Sequence, residues 1–299
     1  MAEMFIPSLL IPEVFHPFKR EENFTAEIIE EVAGYNFYKS VELGDGFKRE
    51  ERKRILNITE KNDIHVVQWL TFLIEENNLD VSTLDSTLRR ETVSRIKDSL
   101  HLGAEIGAKD IALVTGDNPG ENLWNDSVEA LYESLCEIAE AAKKYDMNLL
   151  IEPLDRFSHK KRVIGTTDET LQLLSRVQSH SDNIGIAFDT AHAALNGEDV
   201  LEAMEKAKNL IHQIHFSNAV LDKNSRLYGD FHMEIGEPGF LTLPKITEIL
   251  HNAKELKMQD ERGLRIAGEV RGKGDKESCY ANELALRNIM KEALNQASI

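Results

Sequence analysis

Cysteine is almost absent from this chain: Cys136 and Cys279 are the only two in 299 residues. That is too few for a disulfide framework, and their spacing forms no CxxC pair, so both thiols are expected to be structural and the setting a reducing, cytoplasmic one. Long apolar runs are missing as well. No stretch approaches the ~18 uninterrupted apolar residues of a membrane span, so none is expected. The segment MAEMFIPSLLIPEVF is apolar, but Glu3 precedes its apolar run, prolines interrupt it and no basic region leads it, so a signal peptide is not expected either. Basic residues are outnumbered, 35 against 52 acidic ones, for a net charge of −17. Such a surface disfavours nucleic acid and anionic membranes, whose phosphates call for clustered Lys and Arg. No Pro/Gly/Ser linker, internal repeat or low-complexity tract divides the chain, and residues 1–299 are read as one domain.

What is present is alternation. Short apolar runs at 4–11, 37–43, 64–70, 110–115, 148–153, 184–189, 211–216 and 265–270 are separated by segments of helical periodicity. One helix is expected over 125–145, with Asn125-Asp126-Ser127 as its cap, and another over 166–177, where Thr166 and Glu169 stand in capping-box spacing. A third is expected after the Gly236-Glu237-Pro238-Gly239 turn. Eight strand–helix units in one chain imply a parallel α/β fold, the (β/α)8 TIM barrel. The rival, a doubly wound sheet, more often carries a glycine-rich phosphate loop after its first strand, and LLIPEVFHPF has no glycine. Residues 217–241 form the longest stretch without a clear helix, as expected for a lid or binding wall.

In a barrel the functional face lies at the C-terminal ends of the strands. Strand five ends in LLIEPLDR, which places Glu152 and Asp155 there with Arg156 beside them. Strand six stops at Asp189, with His192 three residues on; strand seven carries His215 and strand eight Glu269. Four successive strands thus deliver Glu152, Asp189, His215 and Glu269 to one rim. Two glutamates, an aspartate and a histidine form a donor set suited to a divalent ion, Mn²⁺, Mg²⁺, Co²⁺ or Zn²⁺. A lone glutamate at a strand end is usually just solvated; four in order are not so easily dismissed.

Other candidates divide more evenly. His192 beside Asp189 is read as a pocket residue rather than a plain helix-start residue. Asp230 and His232 are two apart, so an extended segment would point both the same way. They can contact substrate, bind a second metal or brace the loop. Arg156 is taken with His192, Asp230 and His232 as a substrate contact. Glu42 at the end of strand two is a weaker rim candidate, with a solvated strand end slightly favoured. His65 and His212 start strands and are read as structural, and Trp69 and Phe72 as core or pocket wall.

The ordered set IEPLDR, IAFDTAHAALNGED, IHQIHFSN, DFHMEIGEPGF and IAGEV resembles the xylose isomerase-like TIM-barrel superfamily, in particular its sugar isomerase and ketose 3-epimerase branch. The resemblance implies a small-molecule sugar or polyol substrate, with Glu152, Asp189, His215 and Glu269 as metal ligands. It also implies that Glu152 and Glu269 move the proton, with His192 in the substrate pocket. A homodimer or tetramer is allowed for. The sequence departs from the epimerases after strand five, where Asp155-Arg156-Phe157-Ser158 replaces their Asn-Arg-Phe-Glu type of run. Their arginine after the strand-seven histidine finds no better match than Arg226. Two rivals share the scaffold: a lyase that dehydrates an inosose or related keto-polyol, and an apurinic-site endonuclease-type phosphodiesterase. The endonucleases take further histidine ligands from strands three and four, and VVQWLTF and IALVTGDN supply none.

Overall fold

A computed structural model describes residues 4–258 and 263–298. Its strands are β1 (Phe5–Leu10), β2 (Ser40–Leu43), β3 (His65–Trp69), β4 (Ala108–Val114), β5 (Asn148–Glu152), β6 (Ile184–Asp189), β7 (Ile211–Val220), β8 (Gly229–Met233) and β9 (Leu264–Glu269). Its α-helices are α1 (Ile11–Val14), α2 (Phe24–Ala33), α3 (Arg49–Asn62), α4 (Thr71–Glu76), α5 (Ser86–Glu105), α6 (Glu121–Lys143), α7 (Thr167–Gln178), α8 (Thr190–Leu195), α9 (Val200–Ala207), α10 (Leu243–Glu255) and α11 (Lys276–Ala297). Eight of the strands run parallel in the order β6-β5-β4-β3-β2-β1-β9-β7, and β6 pairs with β7 to close the ring. The expected TIM barrel is therefore the fold, in a single domain. No described helix is long and apolar enough to cross a membrane.

The strands obey period two, and this is what builds the site. Leu9, Val41, Ile111, Leu149, Ile186, Ile214 and Ile266 face outward into the large core shared with the helices. The alternate positions point into the barrel, where Leu10, Val67, Trp69, Ala112, Leu150 and Ala187 form an apolar cluster. Along the same inward rows stand Glu42, Glu152, Asp189, Gln213, His215, Arg265 and Glu269, all buried. At the opposite end of the barrel Arg265 pairs with Asp110 (Nη2–Oδ2 3.1 Å), and His65 Nε2 lies 2.5 Å from the same oxygen. His65 is structural, as expected, and His212 packs over Gly185, where an added Cβ would meet its ring at 2.6 Å.

Three expectations change. The helix expected from 125 begins at Glu121, after Gly120 in a left-handed conformation (φ 86°), so Asn125-Asp126-Ser127 lies inside it rather than capping it. Trp124 in its first turn is tied back by its Nε1–H to the Val163 carbonyl at 2.7 Å, which extends the helix past the polar triplet. The stretch 217–241 is not an open loop: β7 runs four residues beyond the expected 216, and β8 folds back antiparallel against that extension. Arg226 lies exposed in the turn between them and is not a pocket residue. By contrast Thr166 and Glu169 form both halves of the capping box on α7.

Candidate metal centre

Glu152, Asp189 and Glu269 reach the barrel mouth as the last residues of β5, β6 and β9, and His215 reaches it from within β7, which runs on to Val220. In register, Asp189 on β6 stands opposite His215 on β7. At Asp189 the chain turns directly from strand to helix: Oδ1 caps α8 by accepting the His192 backbone N–H at 2.9 Å. One turn of helix then brings the His192 ring to the same side. Ligand atoms of Glu152, Asp189, His215 and Glu269 all lie within 4.8 Å of one another. His215 Nδ1 is 3.2 Å from Glu152 Oε1 and 3.1 Å from Glu269 Oε2.

Three buried carboxylates and an imidazole in so small a space cannot all keep their ordinary protonation. Burial, with Glu269 and Glu152 close by, pushes the Asp189 carboxyl up to about 8. Burial also raises Glu152, and the Glu269 charge adds to it. Glu269 is equally desolvated, yet His232 and His215 outweigh that and hold it well below the carboxylate range. Burial opposes charge on His215, but Glu42 and Glu269 raise it well above the usual imidazole value. Asp189 Oδ2 is buried and accepts no hydrogen bond. An orphaned carboxylate oxygen among carboxylates that repel each other is a donor set short of a cation, and a divalent ion fits it.

A second group of side chains stands over this one. Asp155, buried in the β5–α7 loop, accepts the backbone N–H groups of Ser158 (3.1 Å), His159 and Lys160 (3.0 Å), and its Oδ2 lies 3.3 Å from His192 Nδ1. These contacts, opposed by burial, hold Asp155 well below the carboxylate range. They also hold the loop in the shape that brings Lys160 to the pocket. His192 Nε2 (3.6 Å), His232 Nε2 (3.4 Å) and Lys160 Nζ (3.4 Å) converge on Asp230 Oδ2. His192 is raised to about 9, because Asp189, Asp155 and Asp230 more than offset its burial.

Asp230 and His232 do share one side, but not by simple alternation. Between Asn218 and Ala219 the β7–β8 ladder shifts register, and His232 takes a left-handed conformation (φ 49°) with Phe231 exposed between the pair. This bulge aims His232 at the metal cluster, its Nδ1 2.9 Å from Glu269 Oε1.

Arg156 sits elsewhere. Its guanidinium stacks on Trp124 (4.2 Å) and pairs with Glu169 and Glu121, behind the loop rather than in the pocket. Among the pocket residues that sequence reasoning left out are Lys160, Glu13 and Arg271, the last two bidentate to each other (2.7 and 2.9 Å). Glu13 follows β1 at the same rim, a position its strand end could have signalled; Lys160 sits amid a basic loop run with no such cue. Trp69 and Phe72 line the pocket wall, as expected.

A family model described as a xylose isomerase-like TIM barrel matches residues 29–256. No curated protein matches the chain. Among solved structures, the chain superposes on a D-tagatose 3-epimerase-like protein with TM-score 0.72 at 19% identity, over 98% of this chain and 99% of that one. It superposes on a D-psicose 3-epimerase with D-tagatose from Clostridium cellulolyticum H10 with TM-score 0.70 at 16% identity, over 100% and 98%. An IOLI protein with a binding zinc atom gives TM-score 0.71 at 15% identity, over 100% and 98%. At these identities the likeness establishes the fold.

Proposed function

The chain belongs to the xylose isomerase-like TIM-barrel family, and from that premise we propose that it is a divalent-metal-dependent isomerase or epimerase of a sugar or polyol. The reaction is proton transfer at a carbon next to a carbonyl. The observation that carries this reading is the convergence of Glu152 and Glu269 on one nitrogen of His215, at 3.2 and 3.1 Å, beside the orphaned Asp189 oxygen. A divalent ion held by Glu152, Asp189, His215 and Glu269 would supply Lewis acidity that stabilises the enediolate. The two glutamates would take the proton and return it, to the other face or to the adjacent carbon. Lys160 and His192 face the pocket as donors for substrate oxygens, held in place by Asp230 and Asp155. Leu10, Trp69, Phe72, Val114 and Leu154 offer an apolar wall for C–H faces of a small polyol. The neighbours titled as tagatose and psicose 3-epimerases agree with this substrate class.

One observation favours a second reading. His192, raised to about 9, is a proton donor at neutral pH and could protonate a departing hydroxyl, as a dehydratase of a keto-polyol requires. The phosphodiesterase reading gains nothing: the pocket residues from the ends of β3 and β4 are Trp69 and Val114, not histidines.

The test is solvent deuterium exchange over a ketose and polyol panel. Exchange into one substrate carbon is expected, nearly abolished in both Glu152→Gln and Glu269→Gln, since a general acid–base group contributes on the order of 10²–10⁴-fold. A product lighter by one water would move the assignment to the lyase. Cleavage of abasic DNA without exchange on any sugar would overturn both.

A further inference from the structure

Glu42 is a buried carboxylate of the barrel interior, beside the centre, that the four-ligand set does not employ. It is wholly buried at the inward end of β2. Its Oε2 accepts the Trp69 indole N–H at 2.7 Å and lies 2.8 Å from His215 Nε2. The Trp69 ring also packs against the imidazole, with centroids 4.9 Å apart and planes tilted by 33°. We propose that Glu42 is the positioning residue of the centre: it holds a proton on His215 Nε2 and thereby keeps Nδ1 turned, with its lone pair, toward Glu152, Asp189 and Glu269. The consequence for metal affinity rests on the metal-centre reading above; the proton assignment does not.

The surroundings of Nε2 pose a choice that only Glu42 resolves in favour of a ligand. Gln213 Nε2 lies at the same 2.8 Å from it. An amide nitrogen donates and never accepts, whereas a carboxylate accepts. Were the Gln213 amide to donate to Nε2, the neutral ring would carry its proton on Nδ1, in the midst of the ligands and unable to bind a cation. With the proton on Nε2 held by Glu42, the proton that an incoming cation displaces is the one on Nδ1, the nitrogen facing Glu152 and Glu269. A proton on Nε2 requires the Gln213 amide to present its oxygen there, giving up the long 3.4 Å contact with Arg265 Nε, whereas the Glu42 carboxylate can only accept. A carboxylate buried merely as one half of an ion pair would be an expensive way to fill a barrel, because a hydrophobic pair of the same volume is often at least as stable. Metal-ligating histidines in general donate their other N–H to such a partner, and losing it costs about 10–100-fold in metal affinity.

The test uses Glu42→Gln, which keeps shape and an oxygen for Trp69, with Asp110→Asn at the far end of the barrel as a control for general loosening. Affinities for Zn²⁺ and Mn²⁺ are measured by chelator competition, and the His215 ring is followed by ¹⁵N NMR with and without Zn²⁺. Glu42→Gln is expected to weaken both ions about 10–100-fold and to shift or abolish a slowly exchanging Nε2–H signal, while Asp110→Asn changes neither. Unchanged affinity in Glu42→Gln, or an equal loss in Asp110→Asn, overturns the proposal. If the wild-type chain binds neither ion, the metal reading falls and the Nε2–H signal of the metal-free protein decides: its loss in Glu42→Gln upholds the proton assignment, and an unaltered signal overturns it.

Discussion

Replacing Asp189 by asparagine should make the metal-free protein more stable in mild alkali and remove the stabilisation that metal gives the wild type. Asparagine caps a helix about as well as aspartate, so the bond from the His192 N–H to the side-chain oxygen at 2.9 Å survives and α8 should stay in place. What disappears is a carboxyl that burial pushes up to about 8 from its ordinary 3.8. In the unfolded chain this group releases its proton near its ordinary value and in the folded chain only near the raised one. Between them the folded state binds more protons, so the contribution to stability is fully present in acid and is lost as pH rises toward 8. At about 1.4 kcal/mol per pKa unit, a shift of about four units sets a ceiling of roughly 6 kcal/mol. Because Glu152, Glu269 and His192 share the same field, about 2–3 kcal/mol is the expected gain for Asp189→Asn at pH 8. Urea unfolding in chelator at pH 5 and pH 8 measures it. Adding Zn²⁺ or Mn²⁺ at about 100 times its dissociation constant should raise the wild type by about 2.7 kcal/mol and leave the variant unmoved. A variant less stable than wild type by the same amount at both pH values in chelator would refute the electrostatic reasoning. Stoichiometric metal in the variant would refute the ligand assignment.

His192→Ala should retain metal and lose turnover, read by metal analysis beside the exchange assay; loss of metal would instead place His192 among the ligands. Asp110→Asn strands the buried Arg265 guanidinium, and a broken buried pair costs about 3–5 kcal/mol in denaturant unfolding. Asp110 is held well below the carboxylate range, because Arg265 and His65 outweigh its burial. Its contribution is therefore present above the unfolded carboxyl value and lost as pH falls below it, so the variant should show a shallower acid transition. Arg156→Met should lower stability by about 1–3 kcal/mol through its lost bonds to Glu169 and leave the Michaelis constant for the sugar unchanged. A raised constant with stability intact would restore Arg156 to the substrate.

The barrel and the four converging side chains were legible in the sequence because both follow from period two. An apolar strand in a barrel has one outward row for the helices and one inward row. A carboxylate ending the inward row must arrive at the mouth, as Glu152, Asp189 and Glu269 do, and His215 on the inward row of β7 meets them in register. The capping box on α7 was legible for a similar reason, since its three-residue spacing is a local rule. Glu42 obeys the same inward rule as the four, yet its partner lies on a strand more than 170 residues away, and only closure of the ring sets it 2.8 Å from His215 Nε2. Arg156 and Lys160 leave the same loop for different partners, and the sequence singled out only Arg156. Asp155 folds that loop by gathering three backbone N–H groups, which aims Lys160 at Asp230 and leaves Arg156 to Trp124 and Glu169. Alternation along a strand is set by each residue's own geometry, whereas the direction of a loop side chain is set by whichever buried charge its neighbours leave unsatisfied, and that charge is created only when the chain has folded.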